Sequence, residues 1–403
     1  MIDNQSIVTQ ANEKKPWLTR NVLALGIVSL LTDSATEMIV PFLPLFLTGV
    51  LGASAMAVGV LEGVADAVSS IFKYFSGRWS DRSGRRFPFI AWGYGLASAA
   101  RPLTALAQVP WHVIAARTAD RIGKGLRSSP RDALLAGSVE ERAQGRAFGF
   151  HRAMDHAGAV IGPLMAWAVL SFWTRDLRTL FWLSAIPGAL AVTAVFAGVR
   201  EKALVRASAP RIAPEAFLTR PGRDLVRLLI PLGLFTLGNA SDLFLLLKAG
   251  ATRTPMESLP LLWMALHVVK SAVSIPGGRL VDSCGARRTL ALGWCFYVLI
   301  YVAFAFARTH TEVSILFVAY GIFHGLTESA QTTLVARSVN AEERGTAFGW
   351  YYLTVGLLAL PASILFGVLW ESVSSKAAFL TGAALAGAAL VALLGLRSQP
   401  RAA

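Results

Sequence analysis

Long apolar stretches alternate with short, basic connecting segments along the whole chain. Its 403 residues are 54% hydrophobic and only 15% charged, whereas soluble domains carry about 25% charged residues. A helix needs about 20 apolar residues to cross the hydrocarbon core of a bilayer, so this length accommodates about 12 spanning helices. The sequence lacks the short alternating strands of a membrane barrel. Because backbone in lipid must satisfy its own hydrogen bonds, we predict spanning helices.

Twelve apolar segments are predicted spans, numbered 1 to 12 along the chain. Spans 1 to 6 are placed at 21–50, 54–76, 88–107, 111–137, 147–172 and 179–199. Spans 7 to 12 are placed at 225–250, 256–280, 289–308, 312–337, 347–371 and 376–396. The chain then divides into a segment 1–20, a six-helix half 21–199, a linker 200–224, a second half 225–396 and a tail 397–403. The predicted fold class is all-α, with two related six-helix bundles in the membrane.

Basic residues mark one side of this layout. Alternate turns hold Arg78, Arg82, Arg85, Arg86, Arg142, Arg146, Arg279, Arg287, Arg288 and Arg344, and the opposite side holds fewer. Because loops rich in Lys and Arg stay in the cytoplasm, we expect both termini there. The same distribution explains the formal charge of +14 without a nucleic-acid partner, which would favour basic residues gathered on one face.

The two halves repeat each other. Residues Ser138, Gly145, Phe148 and Gly149 recur, shifted by 200, as Ser338, Gly345, Phe348 and Gly349. Residues Gly77, Asp81, Gly84 and Arg86 recur, shifted by 201, as Gly278, Asp282, Gly285 and Arg287. Duplicated halves of this kind place a substrate site between them near the midplane, and transport follows from rocking one half against the other.

The turn after span 2 carries a compact motif of Gly77, Asp81, Arg82, Gly84, Arg85 and Arg86. We predict that its glycines permit a tight reversal and that Asp81 caps the next helix or pairs with arginines, locking the cytoplasmic side. The second copy, at Gly278, Asp282, Gly285 and Arg287, is weaker. The motif resembles the signature of the major facilitator superfamily, Gly-x3-Asp-x2-Gly-Arg-Arg. The resemblance implies a monomeric, twelve-span transporter, expected here in a bacterial cytoplasmic (inner) membrane.

Three further segments resemble bacterial drug–proton antiporters of that superfamily. Span 1 ends in Pro41-x-x-Pro44, and span 4 carries Arg121-x-x-Lys124-Gly125, with Lys124 where the family has Gln. Span 5 carries an antiporter-like motif at Gly149, Gly158, Gly162 and Pro163, with Ala166 replacing a closing Gly. The resemblance implies proton-coupled export, although glycines at this spacing can also serve helix packing alone.

Charges inside spans cost free energy and mark transport pathways. Asp33 and Glu37 share one face of span 1, being four residues apart. We predict that one of them carries the proton, with Arg121 and Arg127 as modulating cations. Permanent salt bridges between spans 1 and 4 are the structural alternative.

Other polar residues within the spans are candidates for the substrate cavity. They are Glu62, Asp66, Lys124, Arg131, Asp155, His156, Asn239, Asp242, His324 and Glu328. His151, Asp155 and His156 also allow a metal site, but a proton relay or interface packing fits them better because neither cysteine lies near.

The resemblance therefore implies a proton-coupled exporter of small amphipathic molecules. The sequence predicts a transporter rather than an enzyme, with no cofactor. Its expected partners are a small-molecule substrate, protons and the lipid bilayer. The cationic stripe of span 4 leaves organic anions, zwitterions or lipid-like substrates open. A divalent metal exporter and a receptor that does not transport are the remaining alternatives.

Overall fold

The computed structural model describes residues 16–53, 55–201, 220–252 and 259–396, except for the side chains of residues 55–64, Leu243 and Pro260. Most of the predicted linker, all of the predicted tail and the first fifteen residues lie outside this description. Within it the chain is helical, and twelve spans can be followed in order. The predicted fold class is confirmed, and the domain boundaries stay predictions.

The helices of the first half follow the predicted spans. Span 1 begins as Arg20–Glu37, and spans 2 to 5 are Ala55–Ser83, Phe87–Leu103, Pro110–Gly137 and Gln144–Phe172. Span 6 consists of Leu177–Leu183 and Ala185–Gly198. It begins at Leu177 because the Asp176 carboxylate caps it, accepting hydrogen bonds from the hydroxyl and backbone N–H of Thr179 and from the backbone N–H of Arg178. The same hydrogen bonds hold the pKa of Asp176 below its usual range.

The second half repeats the pattern. Span 7 consists of Arg223–Gly238 and Leu243–Ala251, and spans 8 to 12 are Leu259–Cys284, Ala286–Phe306, His310–Arg337, Arg344–Ser372 and Ser375–Gly395. Span 7 is broken at Asn239, where the backbone leaves the helical region with φ −105° and ψ 86°. The carbonyl that the break releases at Gly238 accepts a hydrogen bond from the Tyr297 hydroxyl at 2.9 Å. The prediction of one continuous helix over 225–250 was therefore wrong.

Polarity is inverted relative to a soluble protein. Eight helical segments of the described chain are long and apolar enough to cross a membrane, judged by length and composition. Large apolar side chains such as Trp92, Phe172 and Leu360 are exposed. Charged side chains of span 4, including Arg117, Asp120, Arg127, Arg131 and Asp132, are buried. Charge therefore faces the inside of the bundle, where it can line a pathway.

Contacts between the halves are concentrated in two pairs of spans. Span 2 packs along span 11, and span 5 packs along span 8. In a chain of twelve alternating spans, the ends of spans 2 and 8 and the starts of spans 5 and 11 lie on the side that carries both termini. We call this the termini side. On this side Arg20, at the start of span 1, donates a hydrogen bond to the carbonyl of Ala197 at the end of span 6, at 2.7 Å.

Candidate functional site

A carboxylate from span 2 joins the halves on the termini side. Asp81 accepts hydrogen bonds from the backbone N–H groups of Gly345 at 3.1 Å and Thr346 at 2.6 Å, and from the Thr346 hydroxyl at 2.9 Å. These N–H groups lie at the start of span 11, where the helix dipole favours negative charge. Asp81 therefore caps a helix of the other half, and not the next helix along the chain as predicted. Its ion pair with Arg86, at 3.6 Å, agrees with the predicted pairing.

The second copy of the motif builds the symmetric contact. Asp282 accepts from the backbone N–H groups of Gly145 at 2.8 Å and Arg146 at 3.1 Å, and from Arg146 Nε at 2.8 Å. These groups lie at the start of span 5. We call Asp81 with Gly345 and Thr346, and Asp282 with Gly145 and Arg146, the two locks. The copy that is weaker in sequence makes the same kind of contact.

The motif glycines have two different roles. Gly84 and Gly285 adopt positive φ, 66° and 91°, and make the reversals as predicted. Gly77 and Gly278 instead lie inside helices, so their assignment to a turn was wrong. A Cβ on Gly77 would lie 2.0 Å from the carbonyl oxygen of Gly345. These two glycines allow the backbones of opposite halves to touch.

Two of the motif arginines make further contacts on the same side. Arg86 donates to the carbonyls of Ala341 at 2.7 Å and Ala133 at 3.2 Å, so it also crosses between the halves. Arg287 donates to the carbonyl of Leu394 at the end of span 12. Arg82 is partly buried and Arg85 is exposed.

Neutralising either lock should open the termini side. In Asp81→Asn or Asp282→Asn, charge-assisted bonds worth about 1.5–3 kcal/mol are weakened, so we expect the open population to rise about tenfold or more. A single cysteine at Ser80, buried beside the first lock, would report it by faster maleimide labelling after Cys284 and Cys295 are changed to Ser. Asp224→Asn, at an exposed position, is the matched control. Unchanged labelling in both lock variants would contradict this role.

The antiporter-like glycines of span 5 contact the two acids of span 1. A Cβ on Gly158 would lie 3.0 Å from the Cβ of Asp33, and one on Gly162 would lie 2.7 Å from the Cβ of Glu37. Gly149 differs, since its neighbour is the carbonyl of Ser274 in span 8, across the interface. Pro163 follows Gly162 within the same helix. The motif therefore holds span 1 directly against span 5 at the two candidate carboxylates.

Glu37 lies at the end of the regular part of span 1. Beyond it, Pro41 and Pro44 turn the chain into short irregular helical segments. The Glu37 side chain is partly buried, and its electrostatic neighbours include Lys124 and Arg117. Among the described residues its carboxylate forms no ion pair within 4 Å.

The cations of span 4 are instead held mainly by other groups. Asp120 pairs with Arg117 at 3.4 Å and with Arg101 of span 3 at 2.9 Å. Arg121 lies 3.8 Å from the exposed Asp66 of span 2. Arg127 stacks on a tyrosine ring of span 3, 4.4 Å from the ring centre. Within the described part of the chain, no ion pair within 4 Å joins Asp33 or Glu37 to span 4, so the structural alternative lacks its direct contact.

A polar network crosses between the halves. Arg131 pairs with Asp132 at 2.9 Å, and the hydroxyl of Tyr352 in span 11 donates to the same carboxylate. Arg152 donates to the Tyr352 oxygen at 3.4 Å and pairs with Asp155 at 3.1 Å. Because span 5 and span 11 belong to different halves, any movement of one half against the other has to rearrange these contacts.

The network continues into the second half. The Glu328 carboxylate lies 3.2 Å from His156 Nε2 and 3.2 Å from His324 Nδ1. Asp242, at the break in span 7, lies 3.3 Å from Lys270 and 3.7 Å from His324. A tyrosine of span 10, Tyr320, donates to Asp242 at 3.1 Å and to Asn239 at 3.2 Å.

The structure gathers most of the predicted cavity residues, with exceptions. His156, Asn239, Asp242, His324 and Glu328 converge as described above, whereas the side chain of Glu62 lies outside the described residues. Among the described residues, no group of three or more His, Cys, Asp or Glu could hold a metal ion. His151 points its Nδ1 to Asp155 at 3.7 Å while His156 faces Glu328, so the three residues of the metal hypothesis do not share a centre.

Sequence reasoning missed Arg101, Tyr320 and Tyr352. Arg101 carried a usable signal, because it is a charge inside a predicted apolar span and needs a partner. The two tyrosines carried none, since a tyrosine in a span is equally compatible with packing.

Comparison with known proteins agrees with this architecture. The sequence profile of the Major Facilitator Superfamily matches residues 25–265 and 250–403. An uncharacterized MFS-type transporter of Methanocaldococcus jannaschii is 30% identical over 381 residues, covering 93% of this chain and 94% of the relative. The multidrug resistance protein MdtG of Klebsiella pneumoniae is 26% identical over 341 residues, covering 79% of each chain.

Two solved structures share the fold at low sequence identity. The human organic anion transporter MFSD10 (TETRAN) superposes with a TM-score of 0.78 at 14% identity, covering 93% of this chain and 99% of that one. A bacterial homologue of the iron transporter ferroportin, in an outward-facing state, superposes with a TM-score of 0.72 at 16% identity over the same shares. Profile, relatives and fold agree with the two-half helical architecture: the chain belongs to the major facilitator superfamily of membrane transporters, and it is not an enzyme.

Proposed function

We propose that this transporter is a proton-coupled exporter of small amphipathic organic molecules. The observation that carries the proposal is the setting of Glu37, a partly buried acid among cations that forms no close ion pair with a described residue. A proton carrier has to exchange its proton during the cycle, which a permanently paired carboxylate does poorly. Asp33, one turn away, is the second candidate.

The contacts of span 5 support the same proposal. Its antiporter-like glycines bring that helix against Asp33 and Glu37, and Arg152 and Asp155 on the same helix reach the network between the halves. Movement of span 5 during rocking would therefore change the surroundings of the acids. The MdtG relatives, whose name assigns them to multidrug resistance, favour export of drug-like molecules.

We further propose a monomer in a bacterial cytoplasmic membrane, with the termini side facing the cytoplasm. Basic residues of the turns beside both locks lie on that side, as the positive-inside rule expects of cytoplasmic loops. The two locks then hold the cytoplasmic side closed, and the next step of the cycle requires that they separate.

Organic anions are the second candidate substrate class. The observation that favours them is the buried cationic set of span 4 and its neighbours, including Arg101, Arg117, Arg127 and Arg131. For a metal exporter, the described residues offer no group of three or more His, Cys, Asp or Glu that could hold a metal ion.

Glu37→Gln should abolish proton coupling. Because the amide cannot take up a proton, we expect substrate-driven proton movement to fall at least tenfold in proteoliposomes, and protection of an efflux-deficient host to fall with it. The substrate panel comprises lipophilic cations, organic anions and transition-metal salts. Glu371→Gln, at the exposed end of span 11, is the matched control and should behave as wild type.

One result would contradict the assignment of Glu37 or Asp33 as the proton carrier. If Glu37→Gln and Asp33→Asn each retained transport with wild-type pH dependence, neither acid would be the proton carrier. Protection against one class of compound, lost in Glu37→Gln, would establish both the substrate class and the direction of transport.

A further inference from the structure

A cavity of about 260 Å³ lies between spans 5, 7, 10 and 11. Its lining includes the aromatic rings of Phe235 and Phe323, whose centres are 5.6 Å apart. It also includes Arg152, His324 and Glu328. An apolar surface with a few converging polar groups is the usual composition of a small-molecule pocket.

Two buried nitrogen atoms at this cavity have no hydrogen-bond partner among the described residues: Nε of Arg152 and Nε2 of His324. The other guanidinium nitrogens of Arg152 are engaged, since Nη1 donates to Asp155 at 3.1 Å and Nη2 to Tyr352 at 3.4 Å. The Glu328 carboxylate stands 3.7 Å from Nε, which is beyond hydrogen-bonding range. Burying the unsatisfied Nε–H of Arg152 is costly, so this side of the cavity is suited to a ligand that brings acceptor oxygens. The role of His324 Nε2 depends on its tautomer, and this nitrogen lies 3.7 Å from the Asp242 carboxylate.

We propose that the cavity binds an amphipathic molecule through an anionic headgroup, a carboxylate or a phosphate. The headgroup would lie between Arg152 and His324, with the apolar part against Phe235 and Phe323. Guanidinium nitrogens suit the oxygens of carboxylates and phosphates, and His324 donates from both ring nitrogens when it is protonated. This inference rests on the proposed function and narrows its substrate class.

The positions of Arg152 and His324 have a consequence for transport. Arg152 lies on span 5 of the first half, and His324 lies on span 10 of the second. A headgroup held by both would bridge the halves near the network that rocking has to rearrange. Binding would therefore favour the arrangement in which the two halves close on the ligand.

Glu328 acts as a built-in competitor for the same cations. Its carboxylate lies 3.2 Å from His156, 3.2 Å from His324 and 3.7 Å from Arg152. A bound anion would sit close to this negative charge and would be repelled by it. Removing the charge should therefore tighten the binding of an anion, whereas at a cation site the same change would weaken binding.

Binding is measured by thermophoresis on the full-length protein in nanodiscs of neutral phosphatidylcholine. The probes share one tail and differ in headgroup: decyl phosphate, decanoate and decyltrimethylammonium. We expect the two anions to bind and the ammonium to bind at least tenfold more weakly. Arg152→Gln should weaken anion binding at least tenfold, and Glu328→Gln should tighten it about threefold or more. Arg227→Gln, at an exposed position of span 7, is the matched control.

Competition against decyl phosphate separates the possible sources of the headgroup. Displacement by phosphatidic acid placed in the nanodisc would identify a lipid headgroup, and displacement by inorganic phosphate alone would identify a free anion; both support an anion site. If Arg152→Gln fails to fold, Arg152→Lys should still bind anions, but more weakly because it lacks the planar fork.

Preference for the ammonium probe, lost in Glu328→Gln, would overturn the anion site, as would anion binding that neither variant alters. The proposed function fails separately. If anions do not bind while cationic substrates still drive proton movement that depends on Glu37, the anion site is wrong and the proton-coupled exporter stands.

Discussion

Gly77→Ala is expected to abolish transport by keeping the termini side from closing. The added Cβ would lie 2.0 Å from the Gly345 carbonyl oxygen. Both sides of this contact are helix backbone, so neither a rotamer change nor a small side-chain shift relieves it. Overpacking of this kind costs about 1–3 kcal/mol even where side chains can yield, so we expect the closed population to fall about tenfold or more. Substrate flux in proteoliposomes and the labelling of a cysteine at Ser80 report the two effects.

The matched control is Gly95→Ala in span 3, where an added Cβ meets no atom within 4 Å. It should transport at the wild-type rate, because alanine is favoured over glycine inside a helix. The symmetric variant Gly278→Ala, whose Cβ would lie 2.3 Å from the carbonyl of Gly145, should reproduce the defect. If Gly77→Ala and Gly95→Ala transported equally well, close contact between spans 2 and 11 would not be required for the cycle.

Gly162→Ala should uncouple the transporter while leaving it folded. The new Cβ would lie 2.6 Å from the Ser34 carbonyl oxygen and 2.7 Å from the Cβ of Glu37. Span 1 then has to move away from span 5 at the position of the candidate carrier. We expect proton movement per substrate to fall at least tenfold, because coupling requires the carboxylate within reach of the groups that modulate it. Parallel assays of substrate flux and proton release in proteoliposomes measure the ratio.

Gly387→Ala in span 12 is the control for this variant, since its added Cβ meets no atom within 4 Å. Folding is checked by thermal unfolding in detergent, where Gly162→Ala should lose only a few degrees. A normal ratio of protons to substrate in Gly162→Ala would show that the span 5 glycines serve packing alone. That outcome is the alternative that their spacing leaves open.

The two glycine predictions concern different steps of one cycle. Gly77 and Gly278 determine how closely the halves approach each other at the locks, whereas Gly158 and Gly162 determine how closely span 5 approaches the acids within the first half. Between these regions lie Arg152 and its partners on both sides of the interface. Protonation near span 1 and ligand binding near span 10 could therefore act on one shared helix, span 5.

Much of the fold followed from the sequence because its determinants are local. The length of each apolar run determines whether a helix can cross a bilayer, and the constant spacing between matching residues reveals the duplication. For most spans, the predicted helix positions therefore agreed with the observed ones within a few residues. The break in span 7 was missed because Asn239 and Asp242 look like polar residues on a continuous helix. In the folded protein both accept hydrogen bonds from Tyr320 of span 10, a contact that the sequence does not reveal.

The candidate site likewise has features that the sequence predicted and features that only the structure revealed. Sequence spacing identified Asp33 and Glu37 on one helix face, the lock motifs and the glycines of span 5, since each of these is a pattern within one or two segments. Sequence alone could not determine which half each group contacts. Asp81 caps span 11, more than 260 residues away in the chain, because duplicated halves place the end of span 2 beside the start of span 11.

Pairing of charges was decided only by the tertiary structure. In the sequence, any acid could neutralise any cation of span 4. In the folded protein Asp120 pairs with Arg101 and Arg117, while Glu37 forms no close pair with a described residue. An ion pair depends on a few ångströms of separation between different helices, and spacing along one helix carries no information about that distance.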